Sequence, residues 1–407
     1  MSDHGKAPLS ARIKGHLMRI FETMFGHGQW KAWLLLPVCL LICLGLYYGA
    51  KGISTLRLQS AQRAAERMEA EVREGSGSFY FNTLSGREQH IYDTLDKALS
   101  VCSPATALIS FVPTASEFQN AAKAVFCDRP QYVGVLFEET EMQTSRYSAR
   151  ISLTYTEDVK ERQAALATFA KELLSTLPID NAYDRALALH DALVKRAVYH
   201  DENARMTAGR TDAYDALAGN ACDGYAYAAA YAYLCREADI GAEIVLGTAN
   251  GGEHAWNALY LDEGIGYVDV MWNDTPIKDT ILPFHGYFML SIEEISKDHT
   301  FANASLFQNG ESANYYEHYG FALPDDEARA TEALTTLLTR AAEKKASAVE
   351  LLLPEIYADE AVFKEVLHEA LATVSEIEGL PKLRTVNRIY HASDSTLART
   401  VQLFYEE

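Results

Sequence analysis

Cys222, His254 and Asp269 are the residues whose types and order could do covalent chemistry. A thiol attacks an acyl carbon as thiolate, and an imidazole that titrates near neutrality can take and return its proton. A carboxylate can then fix the imidazole's tautomer and stabilise its charge. Cys222 sits in Ala221-Cys222-Asp223-Gly224-Tyr225-Ala226-Tyr227, where an Ala- and Tyr-rich helical segment starts, with Gly241 as its stop. A helix start favours thiolate over thiol through its unpaired N–H groups and dipole, and the same N–H groups could stabilise an oxyanion beside the sulfur. Cys235, 13 residues on and well inside that helix, reads as an inert core residue. His254 opens Gly252-Glu253-His254-Ala255-Trp256-Asn257, and Asp269 lies in Tyr267-Val268-Asp269-Val270-Met271-Trp272.

The elements that must position these residues are a helix from Cys222 and three short strands, Ala242 to Gly247, His254 to Leu261 and Gly266 to Trp272. Antiparallel neighbours would let His254 face the helix start and pair with Asp269. Singly, each residue has a plain structural reading: a core thiol, a satisfied strand histidine, a turn-forming aspartate. Together they describe nucleophile, base and orienting carboxylate.

At these residues the chain resembles the transglutaminase-like superfamily, in particular its bacterial membrane-anchored or secreted members. The matching elements are Cys222 to Ala226, His254 to Asn257 and Asp269 to Asp274. Leu189-His190-Asp191, Tyr199-His200-Asp201, Tyr287 to Leu290 and Asp298-His299 resemble its flanking stretches. The resemblance runs from about Asp180 to Thr300. It implies an α+β, papain-like core of helices plus antiparallel sheet, and thiolate attack on an amide with a thioester intermediate. Cys222 would be nucleophile, His254 general acid/base and Asp269 orienting carboxylate. Met271 departs from the Thr found in many members, at a position without a chemical role. Tyr199 is the candidate oxyanion donor, and Tyr225, Trp256 and Trp272 are candidate cleft-lining aromatics. His190 and His299 read as structural hydrogen-bonders. The resemblance implies no cofactor and no calcium site, and a peptide or protein substrate, with hydrolysis ahead of cross-linking. A non-catalytic envelope binding or scaffolding protein on the same fold is the alternative.

The rest of the 407-residue chain frames this unit. A net charge of -20 argues against a nucleic-acid partner, because phosphate binding needs basic residues. Residues 1–31 nonetheless carry five Lys or Arg against two acidic residues. They precede Ala32 to Ala50, AWLLLPVCLLICLGLYYGA, an uncharged run long enough for one transmembrane helix. The basic N-terminus predicts the large C-terminal part outside the cell membrane. The segment 10–25 is amphipathic and could lie on the inner membrane surface.

Residues 51–78 read as a polar stalk, 79–156 as a small α+β domain, 157–320 as the domain carrying the resemblance, and 325–407 as a C-terminal α+β module assigned to interaction or support. No CxxC or HExxH supports a metal site, so none is predicted. Cys102 and Cys127 could pair as a disulfide in an oxidising compartment.

Overall fold

The computed structural model describes residues 15–405, apart from 17, 21–22, 24–29, 71, 74–77, 178–180, 200–210, 275–283, 308–312 and 391–397. The molecule divides into two compact units. The first comprises Met1–Arg67 with Ser110–Val112 and Thr144–Ser148, and the second holds the remaining residues to Glu407. The stretches read from sequence as 79–156, 157–320 and 325–407 lie almost wholly in the second.

The basic segment 1–31 falls mostly outside the described residues. Helix α1, Trp30–Ala70, runs 41 residues and carries Pro37 inside it. It includes the whole of 32–50, although the side chains of 32–36, 38 and 39 lie outside the described residues. Among the described residues no helix is long and apolar enough to cross a membrane.

In the second unit, helices α2 (Gly86–Leu99) and α3 (Ala115–Asp128) each begin with a capping box, Ser85 with Glu88 and Thr114 with Glu117. Reciprocal side-chain bonds there satisfy first-turn N–H groups that a helix cannot. Strands β1 (Glu141–Thr144) and β2 (Ala149–Ser152) pair as a two-stranded sheet. A single bridge joins Val135 and Tyr155. Cys102 and Cys127 are both free thiols, so the pairing considered from sequence is not formed.

Helices α4 (Val159–Leu174) and α5 (Ala182–Val194) follow, α5 capped by Asn181. Strand β3 is Val198–Tyr199, helix α6 Ala213–Ala218, strand β4 Ala221–Cys222 and helix α7 Gly224–Glu237. Its alanines let α7 bury every residue from Gly224 to Cys235. Its tyrosines must then find acceptors: Tyr225 donates to the Phe126 carbonyl and Tyr231 to the Ala186 carbonyl.

Strands β5 (Gly241–Ala249), β6 (Gly252–Leu261), β7 (Gly264–Val268) and β8 (His299–Phe301) form an antiparallel sheet in the order β7-β6-β5-β8. Asn250 and Gly251, both at positive φ (48° and 77°), close the β5–β6 hairpin, the conformation that an Asn-Gly pair favours. The third strand is shorter than predicted. It stops at Val268, and Asp269 caps a single helical turn, α8 (Val270–Asn273). Short helices α9 (Ile292–Ile295) and α10 (Tyr315–Tyr319) lead to the C-terminal part. There α11 (Glu327–Glu343) and α12 (Glu360–Ser375) accompany a sheet of β9 (Ala348–Leu352), β10 (Leu383–Tyr390) and β11 (Ala398–Tyr405), in the order β10-β11-β9. Leu334, Leu338, Leu351, Phe363 and Val401 are central to that core.

Candidate active site

Cys222 ends strand β4, which pairs in parallel with β3 so that Tyr199 stands across from it. Asp223 follows as the N-cap of α7, its Oδ1 accepting the Ala226 amide at 3.0 Å. The Cys222 thiol is fully buried. Burial, with the charges of Asp223 and Asp215, pushes it up to about 12 against a backbone hydrogen bond at Val198 that pulls it down. The expectation that the helix start favours thiolate is therefore overturned. Cys222 precedes the helix by two residues, and the capping carboxylate that meets the dipole puts a negative charge beside the sulfur. The Asp223 amide is donated to Thr211 Oγ1, and the Ala226 amide to Asp223.

His254 lies near the start of β6, beside the hairpin turn, opposite Gly247. The register Asn257 to Val268 brings the residue after β7, Asp269, alongside Trp256 and two places from His254. His254 Nε2 is 2.5 Å from Asp269 Oδ2, and both residues are buried. Burial alone would raise the Asp269 carboxyl, yet the charge and hydrogen bond of His254, with those of His299, hold it well below the usual carboxylate range. The other imidazole nitrogen faces the start of α7. A Cβ on Gly224 would meet His254 Nδ1 at 2.7 Å and Cε1 at 2.9 Å, so only glycine admits the ring there. Met271 Sδ would be 3.3 Å from the same Cβ. Among the described residues no hydrogen bond joins Cys222 Sγ to His254.

His299, read from sequence as structural, binds the same oxygen as His254. Its Nε2 is 3.0 Å from Asp269 Oδ2 and its Nδ1 2.5 Å from Asp298 Oδ1, while Tyr287 donates to Asp298 Oδ2 at 2.7 Å. Burial works against the charged ring, but the two carboxylates hold its pKa up at about 9. His299 is thus an imidazolium that holds the same Asp269 oxygen as His254. The only sequence signal was the Asp298-His299 pair itself.

The remaining candidates separate. Tyr199, beside Cys222, is 41% exposed. Trp272 is half-buried, its ring 5.9 Å from that of His254. Trp256 packs in the core, and Tyr225 lines a small cavity with Phe126, Tyr132 and Asp212, apart from His254 and Asp269. Trp256 is fully buried against His299 and Phe301, and Tyr225 turns its hydroxyl to Phe126. Cys235 is buried in α7 as expected.

Two triplets could in principle hold a metal ion, His254 with Asp269 and His299, and His190 with Asp191 and His285. In the first, both histidines spend their facing nitrogens on one carboxylate oxygen. In the second, His285 is hydrogen-bonded through both ring nitrogens to carboxylates, which makes it an imidazolium without a lone pair for a metal.

Residues 167–271 match the family model described as Transglutaminase-like superfamily. None of the curated proteins matches the chain. A solved structure from Cytophaga hutchinsonii, titled a "putative cysteine protease", is similar at 15% identity and a TM-score of 0.25, over 43% of this chain and 73% of that one. Another from Parabacteroides distasonis, titled a "putative protease", is similar at 12% identity and a TM-score of 0.24, over 66% of this chain and 63% of that one. It is the family match that assigns the domain: residues 167–271, holding Cys222, His254 and Asp269, are a transglutaminase-like superfamily domain.

Proposed function

We propose that the chain is a membrane-anchored cysteine enzyme that forms a thioester at Cys222 and hydrolyses amide bonds of peptide or protein substrates, in preference to cross-linking them. The observation that carries this reading is the buried His254–Asp269 pair, 2.5 Å apart, with the free face of the imidazole turned to the start of the helix that follows Cys222. With Nε2–H held by Asp269, Nδ1 is the basic nitrogen. It takes the proton as sulfur bonds to the amide carbon, then delivers it to the leaving amine as the C–N bond breaks. Water, deprotonated at the same nitrogen, attacks the thioester, and the proton returns to sulfur as the acid departs. The thiol raised to about 12 means that this transfer accompanies attack, since little thiolate stands ready beforehand.

The anchor is 32–50. Its uncharged run lies within the unbroken helix α1, where Leu40, Leu41, Leu46, Tyr47 and Tyr48 are exposed and await an apolar surrounding. The basic N-terminus orients the large C-terminal part outside the membrane.

One observation favours a second reading, a non-catalytic envelope binding or scaffolding protein: the Cys222 thiol is fully buried and strongly protonated. Alkylation of the full chain by iodoacetamide separates the two. The enzyme reading expects Cys222 to react faster than the buried Cys235, and His254→Gln or Asp269→Asn to slow it at least tenfold, with turnover falling by up to about 10⁴-fold for the Asp269→Asn change. Equal rates at the two cysteines, unmoved by His254→Gln, would establish the scaffold. Fluorescent cadaverine incorporation would mark cross-linking, and new peptide termini hydrolysis. Protection of the C-terminal part from protease on intact cells would reverse the topology.

A further inference from the structure

A second cluster of buried histidines lies outside the triad, and its hydrogen bonds fix every proton in it. The Tyr287 amide donates to Asn273 Oδ1 at 2.9 Å, so Asn273 Nδ2 is the atom 2.9 Å from His190 Nε2. An amide nitrogen can only donate, so His190 Nε2 is a bare acceptor and its Nδ1 carries the hydrogen, directed to Asp191 Oδ1 at 3.0 Å. The same Asp191 oxygen accepts from His285 Nε2 at 2.9 Å, while His285 Nδ1 reaches Glu350 Oε2 at 2.7 Å. With a carboxylate at each nitrogen, His285 is protonated at both. Glu350 is completed by the His285 amide at 2.8 Å and by the Tyr316 hydroxyl at 2.5 Å, and Tyr315 stacks on the His285 ring at 4.1 Å.

The ends of this chain matter. Glu350 stands in β9, the edge strand of the C-terminal sheet. Asn273 is the last residue of α8, the turn that Asp269 caps, and its own amide donates to the Asp269 carbonyl at 3.2 Å. Tyr287, bonded to Asn273 Oδ1, also accepts the Asp269 amide at 2.9 Å and holds Asp298.

We propose that Glu350 is a positioning residue for the catalytic carboxylate: through His285, Asp191, His190 and Asn273, the C-terminal module holds the α8 turn, and with it Asp269, in register with His254. The module is thereby a working part of the active site rather than an appended support. The inference rests on the enzymatic reading of Cys222, His254 and Asp269. It adds that the carboxylate's geometry is set from a separate sheet, by a relay whose charges are Glu350⁻, His285⁺ and Asp191⁻. Burial opposes the His285 charge, but Glu350 and Asp191 prevail and hold it up at about 9; the hydrogen bonds from His190 and His285 in turn hold Asp191 well below the usual carboxylate range.

The test uses the full chain and the His254-dependent alkylation of Cys222 by iodoacetamide. Glu350→Gln keeps size and removes the charge that protonates His285. The expected loss is roughly tenfold, short of the hundredfold that an ångström of misplacement can cost. Asn273→Ala should cost a similar factor, and the double variant no more than the larger single one, because both break one chain. Multiplying losses, or no loss for Glu350→Gln, overturn the proposal. Should either variant fail to fold, ¹⁵N spectra of the unmutated chain's imidazoles decide. His285 protonated at both nitrogens and His190 protonated at Nδ1 alone are expected at pH 7.5, and a neutral His285 or the opposite His190 tautomer overturns it. If unmutated Cys222 shows no His254-dependent reaction, the enzymatic reading falls, and the same spectra still decide whether the relay exists.

Discussion

Asp223 is a residue with two opposed effects. As N-cap of α7 it stabilises the helix, a contribution of about 1 kcal/mol for such caps, and as a buried charge next to Cys222 it raises the thiol. Asp223→Asn keeps a capping oxygen and drops the charge. Stability should stay within about 1 kcal/mol in urea denaturation, while iodoacetamide alkylation of Cys222 at pH 8 should become several-fold faster as its pKa falls. His299 gives a pH prediction. Its folded value, about 9, lies above the ordinary imidazole value, so its stabilisation is complete below about pH 6.5 and is lost as pH rises through 9. Asp269, depressed by both histidines, acts in the opposite direction and loses its contribution only in strong acid. Comparing urea midpoints at pH 6 and pH 9.5 should show a drop in the unmutated chain and a smaller one in His299→Gln. The pairing of His254 with Asp269 was legible in the sequence because each sits in a short, recognisable run of residues. The second imidazole on Asp269 was not: His299 is 30 residues away, and nothing in a strand's alternation says which carboxylate a buried histidine will meet.

At the scale of elements, the sheet that carries the site was legible from three strands and their glycine-rich turns. The two-residue pair β3–β4 was not, since two residues show no period, yet it is this pair that holds Cys222 ahead of its helix. The early end of β7 also escaped the pattern. Val270, Met271 and Trp272 continue the apolar run, but Asp269 accepts the Trp272 amide at 3.0 Å and turns the chain into α8. Local capping chemistry thus overrode strand periodicity at the residue whose carboxylate the site uses. Gly224 tests how tightly helix and sheet are fitted. Gly224→Ala would set a methyl 2.7 Å from His254 Nδ1, closer than a Cβ contact tolerates, so the imidazole must move. Alkylation of Cys222 should fall at least tenfold, while the melting temperature changes little because alanine favours the helix by up to about 1 kcal/mol. An unchanged rate would mean that the ring does not use that space.

For the whole molecule, the anchor makes a separate prediction. Leu41→Arg with Leu44→Arg places two charges at the middle of the proposed span, at roughly 2.5 to 3.5 kcal/mol each. The variant should move from the carbonate-resistant membrane fraction to the soluble one, and retention in the membrane would locate the anchor elsewhere. The C-terminal module was legible as elements but not as part of the site. His285 is 94 residues from Asp191 and 65 from Glu350, and no local pattern joins them. The burial of Cys222 has one more consequence, for chemical durability. Peroxide attacks thiolate, and a fully buried thiol with a pKa of about 12 offers almost none at neutral pH. On the proposed reading, a nucleophile that ionises only as it attacks is spared the slow conversion to sulfenic and sulfinic acids that retires a permanently activated cysteine.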